Sequence, residues 1–335
     1  MKVYDVLIVG AGPCGLACGI EAQKNGLSYA VLDKGSITES IRRYPVEMTF
    51  FSSADNISIG NIPFTSLNLR PSRVEALKYY RKVVQHYDLN IHTFTQVEDV
   101  RENEDGLFTL YTSKGEYHAR KVILAIGYYD IPRNLGIPGE DLPHVTHYYD
   151  EAYKYTGSRA IVVGGANSAI ETALDLYRNG VDVTVVHQFE WFDKTAKYWI
   201  VPDIENRVKK NELGAYFNHT VTAITDKEVF IQDVQTGEQQ RIPADFVFLM
   251  VGYHPDAKFL RRVGVKLNGE MLIPEINPET YESNLSGIYM GGSVIGGEET
   301  AKVFIENGKL HALPIIADIK AKLAQADMPS TRVSS

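Results

Sequence analysis

The chain has 335 residues, and 42 acidic against 34 basic side chains leave it a net charge of −8. That length suits two ordinary domains, each able to bury a core, and the acidic balance argues against a nucleic-acid partner or an anionic membrane surface. No apolar run approaches the roughly 18 residues of a membrane helix, and two cysteines are too few for a disulfide scaffold. A soluble, cytoplasmic protein without a metal site is expected.

Val3 to Asp33 reads VYDVLIVGAGPCGLACGIEAQKNGLSYAVLD. An apolar run, a turn with Gly10, Gly12 and Gly15, a helix of small residues and a second apolar run ending on Asp33 form the strand, turn, helix and strand of a dinucleotide-binding unit. The glycines allow a tight turn, room for a pyrophosphate and close helix packing, and the helix start offers N–H groups and a positive dipole end to phosphates. Asp33 falls where an acid accepts hydrogen bonds from ribose hydroxyls. Lys34 to Pro71 is long for a connection, and its mix of Tyr44, Pro45, Phe50, Phe51, Ser52 and Ser53 predicts an ordered, ligand-facing segment. Ser72 and Glu75 form a capping box ahead of a helix to about Tyr87, apolar at Val74, Leu77 and Val84.

From Ile91 the period becomes two, predicting strands at Ile91 to Thr95, Val97 to Arg101, Phe108 to Thr112, Tyr117 to Ala119 and Val122 to Ile126. The first design then recurs. Arg159 to His187 reads RAIVVGGANSAIETALDLYRNGVDVTVVH, with Gly164, Ala166 and Ala169 in the places of Gly10, Gly12 and Gly15, and Gly164 and His187 are separated by the same 23 residues as Gly10 and Asp33. The meander before Gly127 is echoed by another before Gly252, each ending on an apolar strand and Gly-Tyr, so the whole domain design is duplicated. Asn284 to Gly308 predicts a strand, a turn at Gly291-Gly292-Ser293 and a helix starting near Glu299, and the polar tail from Ala326 is expected to fray.

With these residues in view, the chain resembles the two-domain flavoproteins of the low-molecular-weight thioredoxin reductase branch over nearly its whole length. The resemblance implies an α/β fold of two Rossmann-like dinucleotide-binding domains (FAD/NAD(P)-binding, three-layer ββα), with an NADPH domain at 129–254 inserted into a FAD domain at 1–128 plus 255–335. For FAD it implies Gly10, Gly12, Pro13, Gly15, Asp33, Lys34, Phe51, Ser52, Val97, Gly127, Gly292 and Ala301. For NADPH it implies Gly164, Ala166, Asn167, Ser168, Ala169, His187, Lys194 and Lys197. That branch's Gly-Asp turn has become Gly292-Ser293, so a ribityl hydrogen bond is lost or passes to the hydroxyl. Its Cys-x-x-Cys is absent, because the corresponding stretch reads VTHYYDEAY; dithiol relay to a protein is excluded. Gly-Pro-Cys14-Gly, FFSSADNISIGNIPF, YWIVPD, VGYHPD and FIENGKLH resemble the bacillithiol disulfide reductases. Those are FAD enzymes that use NADPH to reduce a low-molecular-weight disulfide, which implies Cys14 as the redox-active thiol and a homo-oligomer.

On chemistry alone Cys14 reads two ways, as a thiolate stabilised by the helix dipole or as a small filler in a tight turn. Cys18, one helical turn on, is a resolving thiol or, since an i to i+4 bridge strains disulfide geometry, an apolar contact. His187 replaces the acid that would repel a 2′-phosphate, which favours NADPH, or merely caps its strand; Lys194, Lys197 and Arg207 are the other candidate cations. The cluster Trp191, Phe192, Tyr198 and Trp199 is core or faces the nucleotide. Two further functions stay open: an NADPH reductase of ferredoxin or flavodoxin, and a non-catalytic FAD- and NADPH-binding redox sensor.

Overall fold

The computed structural model describes residues 2–194 and 196–327. It divides into two compact units, one built from residues up to Arg43, from Met48 to Ile131 and from Tyr253 onward, the other from Tyr44–Glu47 and Pro132–Gly252.

In the first unit the strand Val3–Val9 lies between Tyr29–Leu32 and Gly115–Leu124, parallel to both. Ile91–His92 extends the sheet beyond Tyr29–Leu32, and Ile288–Met290 adds in parallel alongside Val122, Ile123 and Leu124. The early part of Gly115–Leu124 closes an antiparallel meander with Phe108–Thr112 and Val97–Glu102. The two strands expected at Tyr117 to Ala119 and Val122 to Ile126 are therefore one. The strand continues through Arg120 and Lys121, and Arg120 pairs with Asp327 at 2.7 Å and Asp5 at 3.7 Å.

In the second unit five parallel strands run in the order Gly214–Phe217, Asp182–His187, Arg159–Val163, Phe246–Leu249 and Val145–Thr146, and the meander His219–Ile224, Glu228–Asp233, Gln239–Pro243 is a separate sheet. Pro243, with no N–H to donate, ends that meander before Phe246–Leu249 begins. Alternate residues of the central strand serve opposite layers. Ala160 and Val162 pack with Ile170, Ala173, Leu174 and Ile204 of the helices Asn167–Arg178 and Val201–Lys209. Ile161 and Val163 pack with Val221, Val229 and Ile231 of the meander. Both faces are covered, so the strand reads as one continuous apolar run. The first unit repeats this layering: Leu7 and Val9 pack with Leu260 and Val263, while Ile8 faces Gly19 of the helix Pro13–Lys24.

The helix Arg73–Tyr87 begins with the expected capping box, the Ser72 side chain accepting from Glu75 N–H and Glu75 accepting from Ser72 N–H. Its buried face differs from the expectation: Val74 is exposed, and Ala76, Tyr79, Tyr80 and Val83 are buried. The tyrosines can turn inward because their hydroxyls find carbonyls. Tyr79 donates to Ile59 and Ile62 oxygens at 3.1 and 2.8 Å, Tyr80 to Ile57 at 2.8 Å, and Tyr87 to Gly60 at 2.5 Å. These bonds order the long segment that follows Lys34. No helix starts near Glu299; a short 3-10 turn occupies Gly292–Gly296, and helical structure resumes only at Ile305–Gly308 and Ala312–Ala326. The expected fraying lies outside the described residues beyond Asp327.

Candidate active site

At the first glycine turn each glycine meets a different demand. Gly10 has φ +111°, and a Cβ there would lie 2.4 Å from the Ala125 carbonyl oxygen; one on Gly15 would lie 1.9 Å from the Gly10 oxygen. Gly12 has nothing within 4 Å of such a Cβ, so its side faces open space. The helix Pro13–Lys24 has no side-chain cap on its N-cap Gly12, whereas Ser72 and Asp256 cap the helices they precede. Its leading N–H groups stay available to an anion. Asp33 accepts from Ala11 N–H at 2.6 Å and Gly35 N–H at 2.8 Å, which shapes this turn. Burial raises its pKa, with Asp130 and Glu39 adding to the rise against those two bonds.

Cys14 follows Pro13, and its sulfur sits between two glycines of the C-terminal segment. A Cβ on Gly292 would lie 3.0 Å from Sγ and one on Gly308 2.9 Å. The residue as a whole is half-buried. Burial pushes its thiol up to about 12, with Lys309 opposing the rise. Of the two readings of Cys14, the dipole-stabilised thiolate meets this opposing effect of burial, since desolvation disfavours the charged form. Cys18 is buried in the core, and burial raises its pKa strongly, with Cys14 and Glu21 adding. Gly292 donates its N–H to His311 Nδ1 at 3.1 Å, and His311 stacks on Tyr281 with ring centroids 4.3 Å apart. Lys309 donates from Nζ to the Asn56 and Ser58 oxygens at 2.7 and 2.6 Å. Gly308, Lys309 and His311 were not singled out from the sequence, although the FIENGKLH stretch that carries them was.

Burial lowers the His311 pKa from 6.5 to about 4. A depressed folded-state pKa adds stability above pH 6.5 that is lost as pH falls through 4. Thermal unfolding monitored between pH 7 and 4 is expected to show a falling midpoint, with a shallower fall in His311→Asn.

The second turn is built like the first. Gly164 has φ +129°, with the Met250 oxygen 2.5 Å and Ala169 Cβ 3.1 Å from where its Cβ would be. The helix Asn167–Arg178 has N-cap Ala166 and no side-chain cap. Ala166 and Ser168 are exposed and Ala169 is buried. His187 ends its strand with its ring against Gly165, whose Cβ would meet Nε2 at 2.4 Å, and burial lowers its pKa despite Asp193. Lys197 is buried and paired with Glu171 at 2.5 Å, and its backbone N–H donates to Asn167. Arg207 pairs with Asp203 and Glu212 at 3.0 and 2.6 Å. Lys194 is exposed. Of the aromatic cluster, Phe192 is core, Trp191 donates to Glu205 at 2.7 Å, and Tyr198 is exposed.

The remaining expected residues are dispersed over the first unit. Lys34 pairs with Asp130 at 2.9 Å, Phe51 is exposed, Ser52 is half-buried, and Val97 is half-buried at the start of its strand. Gly127, at φ +68°, faces the Ser293 hydroxyl, 3.8 Å from its Cβ position. Ala301 is exposed in a turn that starts no helix.

Two uncapped helix starts on glycine turns at the ends of parallel strands, and a cysteine in one of them, define a dinucleotide-dependent redox protein. The chain belongs to the pyridine nucleotide-disulphide oxidoreductase family, whose model matches residues 7–292. It is an oxidoreductase of the FAD- and NADPH-using kind. Among its relatives is "Bacilliredoxin reductase Bdr" of Bacillus subtilis, 38% identical over 93% of this chain and 96% of that protein. Two solved structures of "Bacillithiol Disulfide Reductase Bdr (YpdA)" superpose with TM-scores of 0.93. The Staphylococcus aureus protein is 39% identical over 96% of this chain and 99% of its own, and the Bacillus cereus protein 36% over 96% and 100%. No helix of the described residues is long and apolar enough to cross a membrane.

Proposed function

We propose that this protein uses NADPH to reduce a low-molecular-weight disulfide, bacillithiol disulfide, with Cys14 as the reacting thiol. The observation that carries this reading is the position of Cys14: it opens an uncapped helix on a glycine turn, with its sulfur enclosed by Gly292 and Gly308. The names of the Staphylococcus and Bacillus cereus structures point to the same substrate.

Bound FAD would supply the two-electron chemistry that links NADPH oxidation to disulfide reduction. Gly10, Gly12, Pro13, Gly15 and Asp33 would hold it, the open side of Gly12 and the uncapped N–H groups facing its phosphates and the free lone pairs of Asp33 its ribose. Lys34, Phe51, Ser52, Val97, Gly127, Gly292 and Ala301 complete that assignment in the first unit. In the second unit Gly164, Ala166, Asn167, Ser168 and Ala169 would hold NADPH. Burial disfavours the charged form of His187, and Lys197 and Arg207 already pair with carboxylates, so Lys194 is the cation assigned to the 2′-phosphate.

Cys14 loses its proton and its sulfur attacks one sulfur of the substrate; a Cys14 mixed disulfide forms, the substrate S–S bond breaks, and the first thiol leaves with a proton. Two electrons and a proton originating from NADPH, with a second proton from solvent, then break the mixed disulfide, release the second thiol and restore the Cys14 thiol. The sum is one disulfide, one NADPH and one proton converted to two thiols and NADP. The same reading places the enzyme in the cytoplasm, where two unpaired thiols stay reduced, and as a homo-oligomer.

The test supplies oxidised bacillithiol, glutathione disulfide and ferredoxin separately to the FAD-loaded enzyme with NADPH and follows the nicotinamide absorbance. Turnover is expected with oxidised bacillithiol. Turnover with ferredoxin alone would replace this reading with the ferredoxin reductase one.

A further inference from the structure

Lys197 does not serve the second glycine turn as a phosphate cation, yet three of its atoms tie the turn together. It is 5% exposed, a depth at which an ammonium persists only with a partner. Its Nζ donates to Glu171 at 2.5 Å, so a carboxylate matches its charge. The backbone N–H of the same residue donates to Asn167 Oδ1 at 2.7 Å. Asn167 and Glu171 are four residues apart on the helix Asn167–Arg178 and so lie on one face of it. Lys197 spans that face, its side chain anchored one turn further along the helix than the amide its main chain holds.

The stretch that carries Lys197 is bonded to the turn itself. Asp193 donates its N–H to the Gly165 oxygen at 2.9 Å, Ala196 donates to the Asp193 oxygen at 3.1 Å, and the Lys197 oxygen accepts from Ile200 at 3.0 Å, just ahead of the helix Val201–Lys209.

The consequence for Asn167 follows from the polarity of an amide. One branch only accepts and the other only donates. A backbone N–H can only donate, so it selects the oxygen and leaves the NH2 group for a ligand. Turned the other way, Asn167, the first residue of an uncapped helix, would offer lone pairs to a phosphate and repel it.

We propose that Lys197 is a positioning residue for NADPH: anchored on Glu171, its main chain fixes the Asn167 amide with both N–H groups available to the nucleotide phosphates. This role presupposes that the second glycine turn holds NADPH.

The test titrates the FAD-loaded enzyme with oxidised NADP by calorimetry. Glu171→Gln combined with Lys197→Met takes away the anchor without leaving a buried charge unpaired, and Asn167→Ala takes away the amide. Each change is expected to weaken binding about tenfold, the scale of one hydrogen bond to a charged group. Because Lys197 acts through Asn167, the three substitutions together are expected to bind within about twofold of Asn167→Ala alone. Losses that multiply would overturn the proposal, since the pair would then act on the unit at large and not on the amide. Parent-like binding with the anchor gone would overturn it too. Asn167→Asp keeps an acceptor for the Lys197 N–H but replaces the two donors, and is expected to lose at least as much affinity as Asn167→Ala; full affinity there would also overturn it. Ser168→Asp sets a carboxylate on the first turn of the helix and is expected to abolish binding. Undiminished binding in that variant would instead defeat the placement of NADPH on this turn, whatever the others do.

Discussion

Gly15→Ala is expected to yield protein that is insoluble or purifies without flavin colour. A methyl there would sit 1.9 Å from the Gly10 oxygen and 3.0 Å from the Gly10 carbonyl carbon, a backbone contact that no rotamer relieves. The helix Pro13–Lys24 would have to lift from the strand before it, at a cost of several kcal/mol, above the roughly 1–3 kcal/mol of ordinary overpacking. The same movement carries the leading N–H groups away from the phosphates. Gly12→Ala separates fold from ligand. Its backbone, at φ −70° and ψ 171°, suits alanine, and nothing lies within 4 Å of the new methyl. The flavin-free variant should melt within about 1 kcal/mol of the parent, yet bind FAD much more weakly because the methyl occupies the side facing the phosphates. Flavin absorbance after purification and calorimetric titration with FAD check both variants. Full FAD binding by Gly12→Ala would contradict the placement of the pyrophosphate.

Cys14→Ala is expected to keep its FAD, to be reduced by NADPH, and to lose turnover of oxidised bacillithiol by about 100-fold or more, as removal of a covalent nucleophile does. The substitution takes one sulfur from a nest lined by Gly292 and Gly308, so the cost in stability should be about 1 kcal/mol. Stopped-flow reduction of the flavin by NADPH, set beside steady-state disulfide turnover, distinguishes loss of the thiol from loss of the cofactor. Normal turnover would return Cys14 to the role of a space-filler.

The parts of this molecule that repeat were legible from residues. Two glycine turns with equal spacing to Asp33 and His187, the Ser72–Glu75 box and the strands at Val97 and Phe108 each follow from local rules and are found where expected, whereas the strand from Ile91 is only two residues long. What escaped depended on distant partners. The strand Gly115–Leu124 runs on through Arg120 and Lys121, where two strands were expected, and the acids that pair with Arg120, Asp5 and Asp327, lie far off in sequence. Tyr79 and Tyr80 were passed over in favour of Val74 because the carbonyls that satisfy their hydroxyls belong to the preceding segment. The same holds at Cys14. Its helix position allowed an acidic thiol as one of two readings, while its enclosure by Gly292 and Gly308 comes from nearly 300 residues downstream. Lys197 was offered as a phosphate ligand and is instead engaged by Glu171 from the neighbouring helix.

The central claim is that the Cys14 sulfur forms a bond with the substrate. The most direct measurement mixes the FAD-loaded enzyme with oxidised bacillithiol in the absence of NADPH, quenches in acid and weighs the peptides. The account predicts one bacillithiol added to the peptide carrying Cys14 and its removal when NADPH is supplied. An unmodified Cys14 in an enzyme that turns over the disulfide would contradict it.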